Sequence, residues 1–447
     1  MKLLMPFLVA TLLSACAGFS TEPPVPVALI KERTGVDVSG TDRERLNDQI
    51  HQLLVPVLDI DTATQIALLN NPGLRASYAG AGIAEADLVQ AGLPQNPGFT
   101  FNHTSNGAGT VIDRTWSIGL ISFLTAPLAT RIERSHLEQI KLQIADQALQ
   151  LAAQTRSAYV EAVSAQQNLD YARQVTQAAG AGAELADSMQ ASGNWSVLEQ
   201  QREQLFFAQS QASLTQAGTD SLEKREALSR LLGLSGPDLN YRLPEQLPDI
   251  PAQPFAPGDV EAVAMAQRLD IQASLIETRR IADEQQLTSA TGVINILDVG
   301  PAFNSSSGQV GASGYQISIN VPLFDWGQAR SKRAEALYMQ SVERATETAV
   351  NARSQVRLAY QSYQHSYRLA RQYREQIMPL QKKISAEILL RYNGMLISVF
   401  DLLADARNQV AAVNASATAL KNFWIADARL QAALGGTLTN KTQGADR

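Results

Sequence analysis

The chain has 447 residues, is 45% hydrophobic and 18% charged, and carries a formal net charge of -6 with one Cys and four His. The length allows ample core for two or three domains, and the acidic balance excludes a nucleic-acid binder, which would show a basic face. So few Cys and His exclude a zinc cluster or a disulfide framework, and the lack of a long apolar run after the leader excludes helical membrane spans but leaves β-barrels open.

Residues 1–15 read as a secretory leader: Lys2 precedes a short apolar stretch, which small residues follow. The only Cys stands where cleavage is expected, and Leu13-Ser14-Ala15-Cys16 resembles the lipobox of bacterial lipoproteins, in which that Cys is lipidated. By the same resemblance Ala17, which is not Asp, implies sorting to the outer membrane. Residues 16–60, with Pro23-Pro24-Val25-Pro26 and little periodicity, predict an extended arm from the lipid to the folded body.

The body repeats itself once, as residues 61–235 and 259–436. Phe101-Asn102 matches Phe303-Asn304, Ser117-Ile118 matches Ser318-Ile319, Gly193 matches Gly394, Ser196-Val197 matches Ser398-Val399, and Leu232-Gly233 matches Leu434-Gly435. All offsets are 201 or 202 residues, which indicates a duplicated unit. The linker 236–258 holds Pro237, Pro244, Pro248, Pro251, Pro254 and Pro257, too many for a helix, and residues 437–447 form a polar tail.

Each half predicts the order helix, strand, loop, strand, very long helix, turn, long helix. Phe99 and Phe101 alternate with Thr100 and Asn102, Trp116, Ile118 and Leu120 with Ser117 and Gly119, and Tyr315, Ile317, Ile319, Val321 and Leu323 with Gln316, Ser318 and Asn320. Such alternation suits a half-buried sheet or a barrel with lipid outside and water inside. The run Gly292–Phe303 is a mixed strand. Loops at Ser105–Gly109 and Ser305–Gly308 are small and polar.

A 3.5-residue period runs from Leu137 to Ala172 and from Val342 through Ala352, Val356, Tyr363 and Ala370 to Leu380 and Ile384. It specifies left-handed coiled-coil packing. The return helix shows it at Val399, Leu403, Ala406, Val410, Val413, Ala417, Leu420 and Trp424. As helix, the stretch from Trp326 to Gly394 spans roughly 100 Å, and Pro379 predicts a bend or break within it. Gly180-Ala181-Gly182, which lacks the strand and Lys of a phosphate loop, predicts a loosened helix. Four strands cannot close a barrel with a lumen, and an open edge in lipid leaves backbone groups unpaired at several kcal/mol each. Several copies must therefore share one barrel if the strands span a membrane.

On these residues the chain resembles the TolC-type outer-membrane factors of bacterial efflux and type I secretion. Asn70-Asn71-Pro72-Gly73-Leu74 and Arg268-Leu269-Asp270-Ile271 resemble the first-helix motifs of that family's two repeats. Val321-Pro322-Leu323-Phe324-Asp325-Trp326-Gly327 resembles its passage from the last strand into the long helix, and Arg391-Tyr392-Asn393-Gly394 with Asp401-Leu402-Leu403 resembles its helix tip. The similarity covers about residues 60 to 436. It implies a mainly α fold with a small β part: a homotrimer in which long coiled-coil helices form a periplasmic α-barrel and twelve strands form a shared transmembrane β-barrel. It also implies a periplasmic adaptor (membrane fusion) protein and an inner-membrane pump as partners, outer-membrane lipid around the strands, and no cofactor.

By analogy with the family, Gly193 and Gly394 mark tips that meet the adaptor, and Glu199, Asp401 and Tyr392 contribute to a gate. Glu199 stands six positions past its tip Gly and Asp401 seven, which reads as one inserted residue, and Tyr392 is one place nearer its Gly than the family pattern. The segment Phe123–Leu128 departs from its second-half counterpart, so that transition is expected to differ in shape. Repeated carboxylates in a narrow lumen favour cations; the plainer reading of both acids is charge stabilised at a helix N-terminus. For both glycines the plainer role is a left-handed turn.

Trp116 and Tyr315 read equally as membrane-interface anchors or as sheet aromatics. His51, His103, His136 and His365 have no metal spacing, Met378 and Met395 read as gap fillers, and Arg368, Arg371 and Arg374 as a solvated face. A lipid-anchored periplasmic coiled-coil scaffold or adaptor without a pore is the alternative, although it needs no matched strand pairs. No nucleophile–base or metal constellation supports an enzyme.

Overall fold

The computed structural model describes residues 25–38, 43–107, 109–256, 258–292 and 296–436. The leader, Cys16 and the polar tail lie outside the described residues. Two compact units are present, one made of Ala76–Ile144 and Leu269–Val350, the other of Val27–Arg75, Ala145–Arg268 and the described residues from Asn351 on.

The element order repeats as expected. The first half carries α3 (Ile60–Asn70), α4 (Pro72–Gly92), β1 (Gly98–Asn106), β2 (Gly109–Gly119), α5 (Leu120–Ala191) and α6 (Val197–Leu232). The second carries α7 (Val260–Gln267), α8 (Leu269–Ala290), β3 (Leu297–Ser306), β4 (Ala312–Ile319), α9 (Gln328–Gln372), α10 (Met378–Asn393) and α11 (Val399–Ala433). Residues 16–60 are not simply extended: α1 (Val27–Thr34) and α2 (Arg43–Leu54) lie within them. Ile30 and Thr34 of α1 and Leu46 and Ile50 of α2 are buried, which gives both helices the apolar side a short helix needs for stability.

In the first unit the strands form one antiparallel sheet in the order β1-β2-β3-β4. The passages from sheet to helix differ between the halves, as expected. Helix α5 starts at Leu120, directly after β2, and carries Pro127 within its first turns. Strand β4 stops at Ile319, so Val321 and Leu323 lie beyond it in irregular backbone, contrary to the alternation that placed them in the strand. Pro322 offers no donor for a ladder, and the Leu323 N–H donates to the Val321 carbonyl at 2.9 Å. Asp325 then accepts from the Gly327 N–H at 2.8 Å and pairs with Arg330 at 3.1 Å. Gly327 has φ +80°, and a Cβ there would lie 2.9 Å from the Gly292 carbonyl oxygen. Between the helices of this unit, Arg131 pairs with Asp283 at 2.7 Å.

The predicted first-half seam is buried at Ile144, the last residue of that stretch of the first unit, and at Ala148, Leu151, Thr155 and Ala162 of the second, joined there by Ala145, Leu149, Tyr159 and Val163. In the second half Ala352, Val356, Tyr363 and Ala370 are buried as expected. The seam then breaks: residues Tyr373–Ile377 form a π-turn before Pro379, with the Met378 N–H reaching back to the Tyr373 carbonyl. A π-turn adds one residue to the helical repeat. The inward stripe accordingly moves by one, to Gln381, Ser385 and Ile388, while the predicted Leu380 and Ile384 are 58% and 50% exposed. In α11 the most buried stripe is Ala419, Phe423, Ala426 and Leu430, one residue before the predicted Leu420 and Trp424. Phe423 lies 5.6 Å and 5.8 Å from the rings of Tyr363 and Tyr367.

The proline-rich linker is a packed strap. A 3₁₀ turn covers Gly236–Asn240, and Tyr241, Leu247 and Ile250 are buried. The Tyr363 hydroxyl accepts from the Phe255 N–H at 2.9 Å, the Tyr367 hydroxyl donates to the Pro251 and Ala252 carbonyls, and the Trp424 indole donates to the Pro248 carbonyl at 2.8 Å. Carbonyls of a strap without regular structure thus find side-chain donors.

The family-like motifs have structural jobs. Asn70 donates to the Leu232 and Gly233 carbonyls at 3.0 and 2.9 Å, and Asn71 to Leu231 at 3.0 Å, so the pair closes the C-terminus of α6. Gly233 is left-handed, and a Cβ there would lie 2.8 Å from the Asn70 carbonyl oxygen. Gly435 repeats this arrangement against Gln267, next to Arg268. Gly180 does not loosen α5; it makes room for Phe207, whose ring would lie 3.2 Å from an added Cβ.

Candidate channel-lining sheet and helix tips

Residues paired across an antiparallel ladder share a face, and that face alternates along each strand. One row runs Phe101–Arg114–Phe303–Ser313, and the row toward the helix ends of the strands is Ile118–Val299–Ile317. Phe99 with Trp116, Leu297 with Ile319, and Tyr315 belong to this same face. The opposite face carries Asn102–Asp113–Asn304, Thr100–Thr115, and Asp298–Ser318. Asn304 donates to Asp113 across it at 2.5 Å. One side of the sheet is apolar and aromatic, the other polar and acidic. Nothing described covers the apolar side: Tyr315 is 83% exposed and Trp116 48%, the latter packed at a tilt against Phe99 with ring centroids 4.8 Å apart. Both predicted interface aromatics therefore lie on the apolar face. Strands β1 and β4 each leave one edge unpaired.

Pairing of β2 with β3 joins the two predicted ribbons into one sheet, which periodicity within either ribbon could not reveal. Asp113 and Asp298, the acids of the polar face, were also missed; alternation with Arg114 and Val299 marks their side. Between the pairs Thr115–Ala302 and Ile118–Val299 the strands come very close. A Cβ on Gly300 would lie 1.7 Å from the Trp116 carbonyl oxygen.

At the first helix tip, Gly193 has φ +75° and its N–H donates to the Gln190 carbonyl at 2.9 Å. Ser196 and Glu199 form a reciprocal capping box: Ser196 Oγ accepts from the Glu199 N–H at 3.3 Å, and Glu199 Oε2 accepts from the Ser196 N–H at 2.7 Å. At the second tip Ser398 and Asp401 do the same at 3.3 and 3.0 Å. The left-handed residue there is not Gly394, which has φ −79°, but Met395 at φ 57°. Counting from the left-handed residue, the acid is six positions on in both halves, so no residue is inserted before Asp401. A non-glycine residue in this conformation costs about 1–2 kcal/mol.

Asp401 is exposed and Glu199 is half-exposed. Glu199 is held below the usual carboxylate range first by the Ser196 N–H and then by its hydroxyl, and Asp401 first by the Ser398 hydroxyl and then by its N–H. The plainer sequence reading, negative charge at a helix N-terminus, thus describes where both acids sit. Tyr392 is 37% exposed, its carbonyl accepts from the Met395 N–H at 2.9 Å, and its hydroxyl makes no hydrogen bond among the described residues.

One turn beyond each capping acid stands a buried carboxylate that sequence reasoning missed, Glu203 and Asp405, again 202 residues apart. Glu203 pairs with Arg407, whose guanidinium lies 4.8 Å over the Phe206 ring, and Asp405 accepts from Gln381 at 2.9 Å. Trp195 packs on Phe400 with ring centroids 4.7 Å apart. These contacts tie the two tips together within the second unit. Among the described residues no group of three or more His, Cys, Asp or Glu could hold a metal ion, and no helix is long and apolar enough to cross a membrane.

No protein-family model matches the chain, and no curated protein matches it by sequence. Solved structures do. CusC, described in terms of its folding and transmembrane channel formation, aligns at a TM-score of 0.71 and 17% identity over 94% of this chain and 100% of that one. A membrane protein from Pseudomonas aeruginosa aligns at 0.73 and 19% identity over 94% and 97%. The Campylobacter jejuni CmeC outer membrane channel aligns at 0.70 and 16% identity over 84% and 85%. The resemblance to TolC-type factors is therefore matched in three dimensions: the chain has the fold of these outer-membrane channels.

Proposed function

We propose that this chain is the outer-membrane channel of a tripartite efflux or secretion system, a passive conduit from periplasm to exterior. Three copies contribute four strands each to one barrel, and their long helices form the periplasmic tunnel. The observation that carries this reading is the sheet. Its apolar face is uncovered, its polar face carries Asp113 and Asp298, and its two edges are open. In lipid such edges must be paired, and a second and third copy present complementary ones. The channel fold of the solved neighbours supports the same conclusion. The chain performs no chemistry in this reading; an inner-membrane pump supplies the energy through an adaptor docked near Gly193 and Gly394. Glu199, Asp401 and Tyr392 form the resting gate.

The purified protein in planar bilayers is expected to give small, cation-selective channels. Trimeric, membrane-inserted protein with no conductance under any condition would favour a scaffold instead.

The anchor is proposed separately. Acylation of Cys16 predicts that Cys16→Ser abolishes incorporation of radioactive palmitate, while trimers still form because the strands hold the protein in the bilayer by themselves. Label persisting in the variant would refute it.

A further inference from the structure

Arg114 is the one formal charge on the apolar face of the sheet among the described residues. It stands at the middle of β2 with Phe101 on one neighbouring strand and Phe303 on the other. It is exposed, and its guanidinium has no ion-pair or hydrogen-bond partner among the described residues. Its row is also a boundary. Toward the helix ends of the strands the face holds Trp116, Ile118, Val299 and Ile317, and beyond β4 Leu323 and Phe324 are exposed apolar side chains. Toward the β1–β2 and β3–β4 turns it changes to His103, Ser105, Thr110 and Ser305 around Ile112. From Leu297 to Phe303 the apolar rows cover roughly 20 Å along the strand, about 15 Å of height at the ~40° strand tilt of outer-membrane barrels, whose apolar band is ~25 Å tall.

On the channel reading, on which this inference rests, the row of Arg114 therefore lies where acyl chains give way to headgroups on the outer side. A lone guanidinium is costly deep in lipid and nearly free at the interface. Its planar donor fork matches a phosphate; Ser305, diagonal to it on β3, and Ser313, beyond Phe303 in the same row, are the hydroxyls of this part of the face. We propose that Arg114, with these hydroxyls, is a binding site on the lipid-facing wall for the phosphate of a phosphorylated glycolipid of the outer leaflet. Three copies would give three such sites around the barrel.

The test is native mass spectrometry of the full-length trimer, extracted in mild detergent and mixed with bisphosphorylated lipid A, its dephosphorylated form, phosphatidylglycerol or inorganic phosphate. Wild type should retain lipid A about tenfold better than the dephosphorylated form. Arg114→Gln should abolish that preference, Arg114→Lys should keep part of it, and Arg391→Gln, which removes a charge elsewhere, should leave it intact. Equal retention of both glycolipids, or an unchanged preference in Arg114→Gln, would overturn the site. Phosphatidylglycerol retained as strongly as lipid A, or displacement of lipid A by inorganic phosphate, would overturn the glycolipid as its ligand. Protein that never forms an inserted trimer would instead remove the channel reading, and this inference with it.

Discussion

Combined neutralisation of the tip acids, Glu199→Gln with Asp401→Asn, is expected to lower the preference of the channel for potassium over chloride about tenfold or more and to raise its conductance. In a trimer the two acids become six carboxylates near the tips, where like charges repel and draw cations. The amide variants matter because both acids also complete capping boxes. Glutamine still serves in such a box, so Glu199→Gln removes charge while keeping the helix start. Ser196→Ala with Ser398→Ala does the reverse, costing about 1 kcal/mol per cap while leaving the carboxylates. Selectivity lost only in the amide pair assigns the effect to charge; equal loss in both pairs assigns it to frayed helix starts, and an unchanged channel in the amide pair refutes the gate.

The pH response has a definite sign. The folded-state pKa of each acid lies below its ordinary value, so both stay ionised until the pH falls beneath the usual carboxylate range of about 4. Selectivity should therefore hold through pH 5 and fade only in stronger acid. The stabilising hydrogen bonds follow the same course, being complete above the unfolded pKa and lost as the pH drops through the folded one. A midpoint above about pH 5 would show that other groups set the selectivity.

Gly300→Ala is expected to abolish assembly of the outer-membrane form. An added Cβ would meet the Trp116 carbonyl oxygen at 1.7 Å and the carbonyl carbon at 2.6 Å, and backbone cannot rotate away as a side chain does. The strands would have to separate where β2 meets β3, the one ladder that joins the two repeats into a single sheet. Overpacking alone costs about 1–3 kcal/mol, and the broken ladder multiplies the effect threefold in a trimer. The measurement is the fraction of heat-resistant trimer on gels of outer-membrane extracts, with Gly314→Ala as the control, since nothing lies within 4 Å of a Cβ there. Trimer levels that match the control would show that β2 and β3 are not joined this way.

The parts legible in the sequence were those written in local periodicity. Alternation at Trp116 and Tyr315 located the strands and their apolar face, and the three-four spacing from Ala352 to Ala370 located the buried stripe of α9. What escaped depended on events that periodicity does not encode. Pro379 announced a disturbance, but the π-turn before it turned the following stripe by one residue, exposing Leu380 and Ile384. Gly394 looked like the left-handed residue of its turn, yet Met395 takes that conformation, which restores the same spacing to Asp401 as in the first half. The helices of residues 27–54 rest on few apolar side chains, too short a pattern to stand out from a proline-rich start. Pairing between β2 and β3 links positions nearly two hundred residues apart, and the carboxylates of Glu203 and Asp405 gain their partners only through folding.

Edge-to-edge closure between subunits is most directly tested by a single-particle reconstruction of the protein extracted from outer membranes. It should reveal a threefold particle in which the free side of β1 hydrogen-bonds β4 of the adjacent subunit, with Tyr315 and Trp116 turned to the detergent belt and Asp113 and Asp298 to a central pore. A solitary subunit, or a sheet whose aromatic side is laid against protein rather than detergent, would contradict it.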